Sequence, residues 1–78
     1  MTSFDATFIY EGQKLRVHIT PSLAKKEDDT PATYQVFIDR YYKGDIYCAD
    51  TEWKIYSPHP VEQKLIDILG DLIFRYMQ

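Results

Sequence analysis

Apolar and polar residues alternate along most of the first 56 positions, then give way to a helical period. Residues 4–11 and 14–20 alternate on either side of Gly12-Gln13. Glycine at the first central position suits a two-residue type II′ turn, so this stretch predicts a β-hairpin over 4–20. The turn would set Glu11 opposite Lys14, Tyr10 opposite Leu15, Phe8 opposite Val17 and Ala6 opposite Ile19. The first of these is a favourable charge pair; the other three are wholly apolar or aromatic and form the expected core face. The other face would carry Ile9 opposite Arg16, Thr7 opposite His18 and Asp5 opposite Thr20.

Residues 21–32 break the pattern. Pro21 and Pro31 bracket Lys25-Lys26-Glu27-Asp28-Asp29, so this is expected to be a long polar loop with room for one helical turn after Ser22. Loops of this length are usually mobile or functional.

Alternation resumes over 33–56. Tyr42-Lys43-Gly44 reads as a three-residue hairpin loop with Gly44 in the left-handed position. That loop would pair Ile38 with Cys48, Val36 with Asp50 and Arg40 with Ile46. A tighter turn at Ala49–Glu52 would pair Cys48 with Trp53 and Ile46 with Ile55. Tyr34, Val36, Ile38, Ile46, Cys48, Trp53 and Ile55 then share the core face. Phe37, Tyr41, Tyr47 and Tyr56 share the opposite one, among Gln35, Asp39 and Lys54.

Ser57-Pro58-His59-Pro60 stops the last strand. Pro60 suits a first helical position and Glu62 a first turn, which predicts a helix over 60–77. Val61, Leu65, Ile68, Leu69, Leu72, Ile73 and Tyr76 recur at helical spacing and form the expected core stripe. The fold class that follows is α+β: an antiparallel β-meander of about five short strands, ββ-loop-βββ, with one C-terminal helix across one sheet face. Trp53, Ile38, Cys48, Leu65, Leu69 and Leu72 are expected to be mutually buried. At 78 residues the chain is read as one domain, 1–78.

Composition narrows the function without naming it. Twelve Asp and Glu stand against nine Lys and Arg, a net charge of −3, which is a weak field for a nucleic-acid domain. No apolar run approaches the ~20 residues of a membrane span. The first residues show neither a basic start nor an apolar core of a leader peptide. A cytoplasmic protein is expected, with no membrane contact. One cysteine and two histidines make a poor zinc set. Glu27-Asp28-Asp29 lacks the ligand spacing and glycine of a calcium loop. The three glycines are isolated, so no phosphate-binding loop exists. Cys48, on the core face, is expected to be an unreactive small hydrophobe. His18 and His59 read as a surface and a helix-start residue. No catalytic, cofactor or metal residue is assigned, and no enzyme is expected.

Two features exceed what a plain fold needs. Ile66, Gly70 and Phe74 follow at spacings of four on one helix flank, with Met77 beside them. Gly70 costs up to ~1 kcal/mol there unless close packing requires it. Phe37, Tyr41, Tyr47 and Tyr56 would face solvent beside Arg16. These nine residues are the candidate interaction surfaces. The expectation is a non-catalytic protein-interaction or regulatory module, with a protein partner or a weak homodimer. The alternative is single-stranded nucleic-acid binding, since aromatics among basic residues on a sheet can stack bases.

Overall fold

The computed structural model describes residues 3–77; residues 1, 2 and 78 and the Met77 side chain lie outside the described set. The protein is an α+β meander. Five antiparallel strands, β1 (Phe4–Tyr10), β2 (Gln13–Pro21), β3 (Tyr34–Ile38), β4 (Tyr41–Ala49) and β5 (Glu52–Tyr56), form one sheet in sequence order. The helix α1 (Gln63–Met77) follows.

Three of the connections are two-residue turns in which both central residues have positive φ, as type I′ requires. They are Glu11-Gly12 (φ 50° and 78°), Asp39-Arg40 (51° and 74°) and Asp50-Thr51 (52° and 65°). The twist of such turns matches that of paired strands, and here it outweighs the cost of left-handed non-glycine residues. The first turn corrects the expected Gly12-Gln13 position. Phe8 pairs with Leu15 and Ala6 with Val17, a slip of two. The second corrects the expected loop at 42–44. Val36 lies opposite Gly44, not Asp50, and Ile38 opposite Tyr41, not Cys48. The third keeps the expected register, with Cys48 opposite Trp53 and Ile46 opposite Ile55.

Both slips leave most faces unchanged, because a shift by an even number preserves alternation. Val17, Ile19, Tyr34, Val36, Ile38 and Ile46 are buried on the inner face. One irregularity does change a face. Between Val36/Gly44 and Phe37/Tyr42 the register shifts by one, so Lys43 is an extra residue on β4. This bulge sends Tyr42 to the outer face with Phe37 and Tyr41 to the other side. It sits beside Gly44 (φ 146°), where a Cβ would collide with the Tyr56 carbonyl oxygen.

The 21–32 segment is more ordered than a polar loop. It continues the β2–β3 hairpin as a narrow arm: Thr33 carbonyl accepts from Ser22 N–H at 3.0 Å, Ala24 carbonyl from Ala32 N–H at 2.9 Å and Thr30 carbonyl from Lys26 N–H at 2.8 Å. Lys25 bridges Pro31, and no helical turn follows Ser22.

The helix begins at Gln63, three residues later than the expected Pro60. Glu62 is its first carbonyl acceptor, taking Ile66 N–H at 3.1 Å, so it caps the helix instead of occupying its first turn. The buried stripe is turned from the one expected. Ile66, Leu69, Gly70 and Ile73 are buried, Leu65 and Leu72 only partly, and Tyr76 is exposed. The reason is Trp53: a Cβ at residue 70 would overlap its indole ring, so the helix lies with Gly70 against Trp53. Of the six residues expected to be mutually buried, Ile38 and Leu69 are. Trp53 sits on an edge strand and Cys48 beside a turn, so these, like Leu65 and Leu72, are covered only in part.

The helix touches both edges of the sheet. Tyr76 packs on Phe4 of β1, with ring centroids 5.0 Å apart, and Tyr10 donates to Glu62 at 3.1 Å. On β5, the Trp53 carbonyl accepts from Gln63 Nε2 at 2.9 Å. Five strands at ~4.8 Å spacing span ~19 Å, wider than a helix of ~10–12 Å diameter. Contact at both edges therefore requires a sheet curled around the helix. The curl spends most of the inner face on one helix and leaves the outer face open.

Candidate interaction surface

The outer face is built from the alternate residues that the curl turns away from α1. Across β2, β3 and β4 it carries a row of rings. His18 and Phe37 are opposite one another, with centroids 6.1 Å apart, and Phe37 meets Tyr42 edge-on at 5.6 Å. A second pair, Tyr47 on Tyr56, is stacked at 4.7 Å over β4 and β5. Tyr42 is 45% exposed and Tyr56 65%, so these rings pair without being sealed. Tyr42 donates its hydroxyl proton to Asp45 at 2.7 Å, and that carboxylate raises the Tyr42 phenol above its usual range.

Polar groups surround the first row in a definite order. Asp5 lies opposite His18 in the β1–β2 ladder, and its Oδ1 is 2.8 Å from His18 Nδ1. Thr20 Oγ1 is 3.0 Å from His18 Nε2. With the ring proton on Nδ1, the imidazole donates to Asp5 and accepts from the Thr20 hydroxyl. The three groups orient the ring beside Phe37. Asp5, Thr7, Arg16, His18, Phe37 and Arg40 line an open concavity of about 530 Å3 there. Arg16 and Arg40 supply two cations and Asp5 and Asp39 two anions, so the concavity carries no net charge and suits a mixed polar and aromatic ligand. A carboxylate, imidazole and hydroxyl in series is an acid–base order, but it lies on a solvent-open sheet face where water screens each group.

The expected site residues divide. Phe37, Tyr47, Tyr56 and Arg16 lie on the outer face. Tyr41, 72% exposed, does not: the bulge at Lys43 turns it to the inner side of the sheet end, beside Tyr10 and Leu15. Ile66 and Gly70 are buried within the chain against the sheet, whereas Phe74 is 66% exposed. The Met77 side chain lies outside the described residues. Sequence reasoning missed Tyr42, Asp5 and Arg40. Asp5 was legible once the turn was placed at Glu11-Gly12, because that register alone sets it against His18. The bulge that recruits Tyr42 left no signal beyond Gly44 itself.

Elsewhere the chemistry is sparse. Asp28 is held within its own turn. It accepts from the Thr30 hydroxyl and the Thr30 N–H, at 3.1 Å for the latter, and these bonds hold its carboxyl below the ordinary range. Among the described residues, no three His, Cys, Asp or Glu side chains converge as a metal site, and no helix is long and apolar enough to cross a membrane. An apolar recess of about 250 Å3 opens between the sheet end and the start of α1, floored by Ile38, Ile55, Leu65 and Leu69.

Fold and surface together define a small α+β domain with one face spent on its helix and an aromatic face left open. No family model, curated protein or solved structure matches the chain.

Proposed function

We propose that the protein is a non-catalytic interaction module that binds a protein partner through the outer sheet face. The observation that carries this reading is the pair of ring clusters, His18–Phe37–Tyr42 and Tyr47–Tyr56, on a face that no element of the described chain covers. Exposed aromatics with an arginine at their border are the residue types that anchor protein interfaces. A cytoplasmic setting is part of the same reading, supported by the single cysteine, too few for the disulfide framework usual in small secreted domains. The test is affinity capture from the native host with wild-type protein beside Tyr56→Glu and Phe37→Ala. A partner held by the wild type and lost from both variants, each with unchanged circular dichroism, supports the reading. A partner retained by both overturns it.

A second reading is single-stranded nucleic-acid binding, favoured by one observation: Arg16 and Arg40 flank the His18–Phe37 pair within one concavity. Rings would stack bases while the guanidinium groups met phosphates. Fluorescence anisotropy with a labelled oligothymidine would show binding that weakens steeply with salt. No change in anisotropy at low salt rejects it.

A further inference from the structure

The two edges of the sheet are unequal. An edge strand offers a row of unpaired N–H and C=O groups, and folds commonly blunt it with short length, lysine, proline or a bulge. β5 is blunted: it has five residues, includes Glu52 and Lys54, and runs into Pro58 and Pro60. β1 has seven residues, Phe4–Tyr10, with no Lys, Arg, Pro or Gly. Its one charge, Asp5, is turned across the pair towards His18 on β2.

The turn fixes which β1 groups are free. A two-residue turn closes Tyr10 and Gln13 as a hydrogen-bonded pair, so Tyr10, Phe8, Ala6 and Phe4 bond to β2. The N–H and C=O of Asp5, Thr7 and Ile9 then point to the open side. Apolar surface borders this row on both faces. Ile9 is 66% exposed on the outer face, and Tyr76 stands exposed over Phe4 on the inner one.

We propose that β1 is a self-association edge, and that its occupant is β1 of a second copy, antiparallel, with the two-fold axis at Thr7. The strand is self-complementary in that register. Thr7 meets Thr7, Ala6 meets Phe8, and Phe4 meets Tyr10 at each end, giving hydroxyl and aromatic cross-strand pairs. Asp5 meets Ile9, and the two Asp5 carboxylates lie four residues apart along the strand, ~14 Å, beyond the screening distance at physiological salt. A parallel in-register pairing would set those charges side by side, which selects the closed two-fold arrangement. The product is a ten-stranded sheet with both helices on its concave sides. Seven residues from each strand bury little area, so the dimer is weak and concentration-dependent. This inference is independent of the outer-face reading, since it uses backbone at the edge.

Sedimentation equilibrium over a wide concentration range tests it. The wild type should shift from monomer towards dimer as concentration rises. Thr7→Glu pairs favourably with Arg16 inside one chain but sets like charges on the axis. It should stay monomeric with an unchanged thermal midpoint. A positive test removes any doubt from folding: in a Cys48→Ala background, Thr7→Cys should form an intermolecular disulfide under mild oxidation. The axis holds those Cα atoms ~5.5 Å apart, within disulfide reach. Ile9→Cys in the same background should not, because the two copies of residue 9 lie far from each other. A wild type that stays monomeric at every concentration overturns the proposal. So does a dimer that survives Thr7→Glu, that dissolves with Phe74→Glu instead, or that cross-links equally through residues 7 and 9.

Discussion

The inner and outer faces of the sheet are made from alternate residues of the same strands, yet they depend on sequence differently. On the inner face neighbours dictate the central residues: Gly70 is required by the Trp53 ring, Gly44 by the Tyr56 carbonyl, and Leu69 and Ile73 are fully buried beneath the curl. On the outer face the rings meet one another in pairs and remain partly wet, so the backbone would hold its course without them. The difference teaches that aromatic content alone says little about a core. The chain spends its branched aliphatics on the inner face and leaves much of its aromatic surface outside.

Substitutions can break this contrast or sharpen it. The largest effect belongs to Leu69→Ala, which removes a fully buried side chain and should cost ~2–5 kcal/mol, read as a lower urea midpoint. An unchanged midpoint would remove Leu69 from the core. Gly70→Ala comes next. Overpacking against Trp53 costs ~1–3 kcal/mol and exceeds the up to ~1 kcal/mol that helix propensity returns. The fold should weaken, and emission of Trp53, the single tryptophan, should move to the red as the ring is displaced. Thr51→Gly touches neither face. It relieves a β-branched residue at φ 65° in the β4–β5 turn and should raise stability by ~1 kcal/mol. A loss of stability would mean that the turn does not hold its left-handed pair.

Tyr56→Ala sharpens the comparison from the outer side. It removes one stacked pair, worth ~0.5–1.5 kcal/mol at most, so the melting midpoint should fall by only several degrees, well short of the Leu69→Ala loss, while partner capture fails. A stability loss like that of Leu69→Ala would make the outer face a second core. The smallest effect lies in the arm. The Asp28 carboxyl is held below its ordinary range by Thr30, so its contribution is present above that range and lost as pH falls through the folded value. The Thr30 amide resonance should titrate with that low midpoint in wild type and not in Asp28→Asn, while the rest of the sheet is unmoved.

The sequence by itself determined the face of nearly every strand residue, the order of the elements and the last turn. Alternation assigns faces with period two, so Val17, Ile19, Val36 and Ile46 point inward whatever the register, provided that any slip is even. Register is another matter. Glu11-Gly12 and Asp39-Arg40 lack the Asn-Gly or Asp-Gly signal of a type I′ turn, and only strand twist and the packed inner face forced left-handed φ on them. The bulge at Lys43, an odd shift, overturned alternation locally and exchanged Tyr41 for Tyr42 on the outer face. The helix repeat marked an apolar side of α1 but could not orient it, because Ile68, Leu72, Leu65, Leu69, Ile73 and Ile66 together cover about 160°, nearly half the helix. Trp53 decided that orientation by filling the space over Gly70. That contact joins residues seventeen positions apart, and only the curl of the sheet brings β5 over the helix.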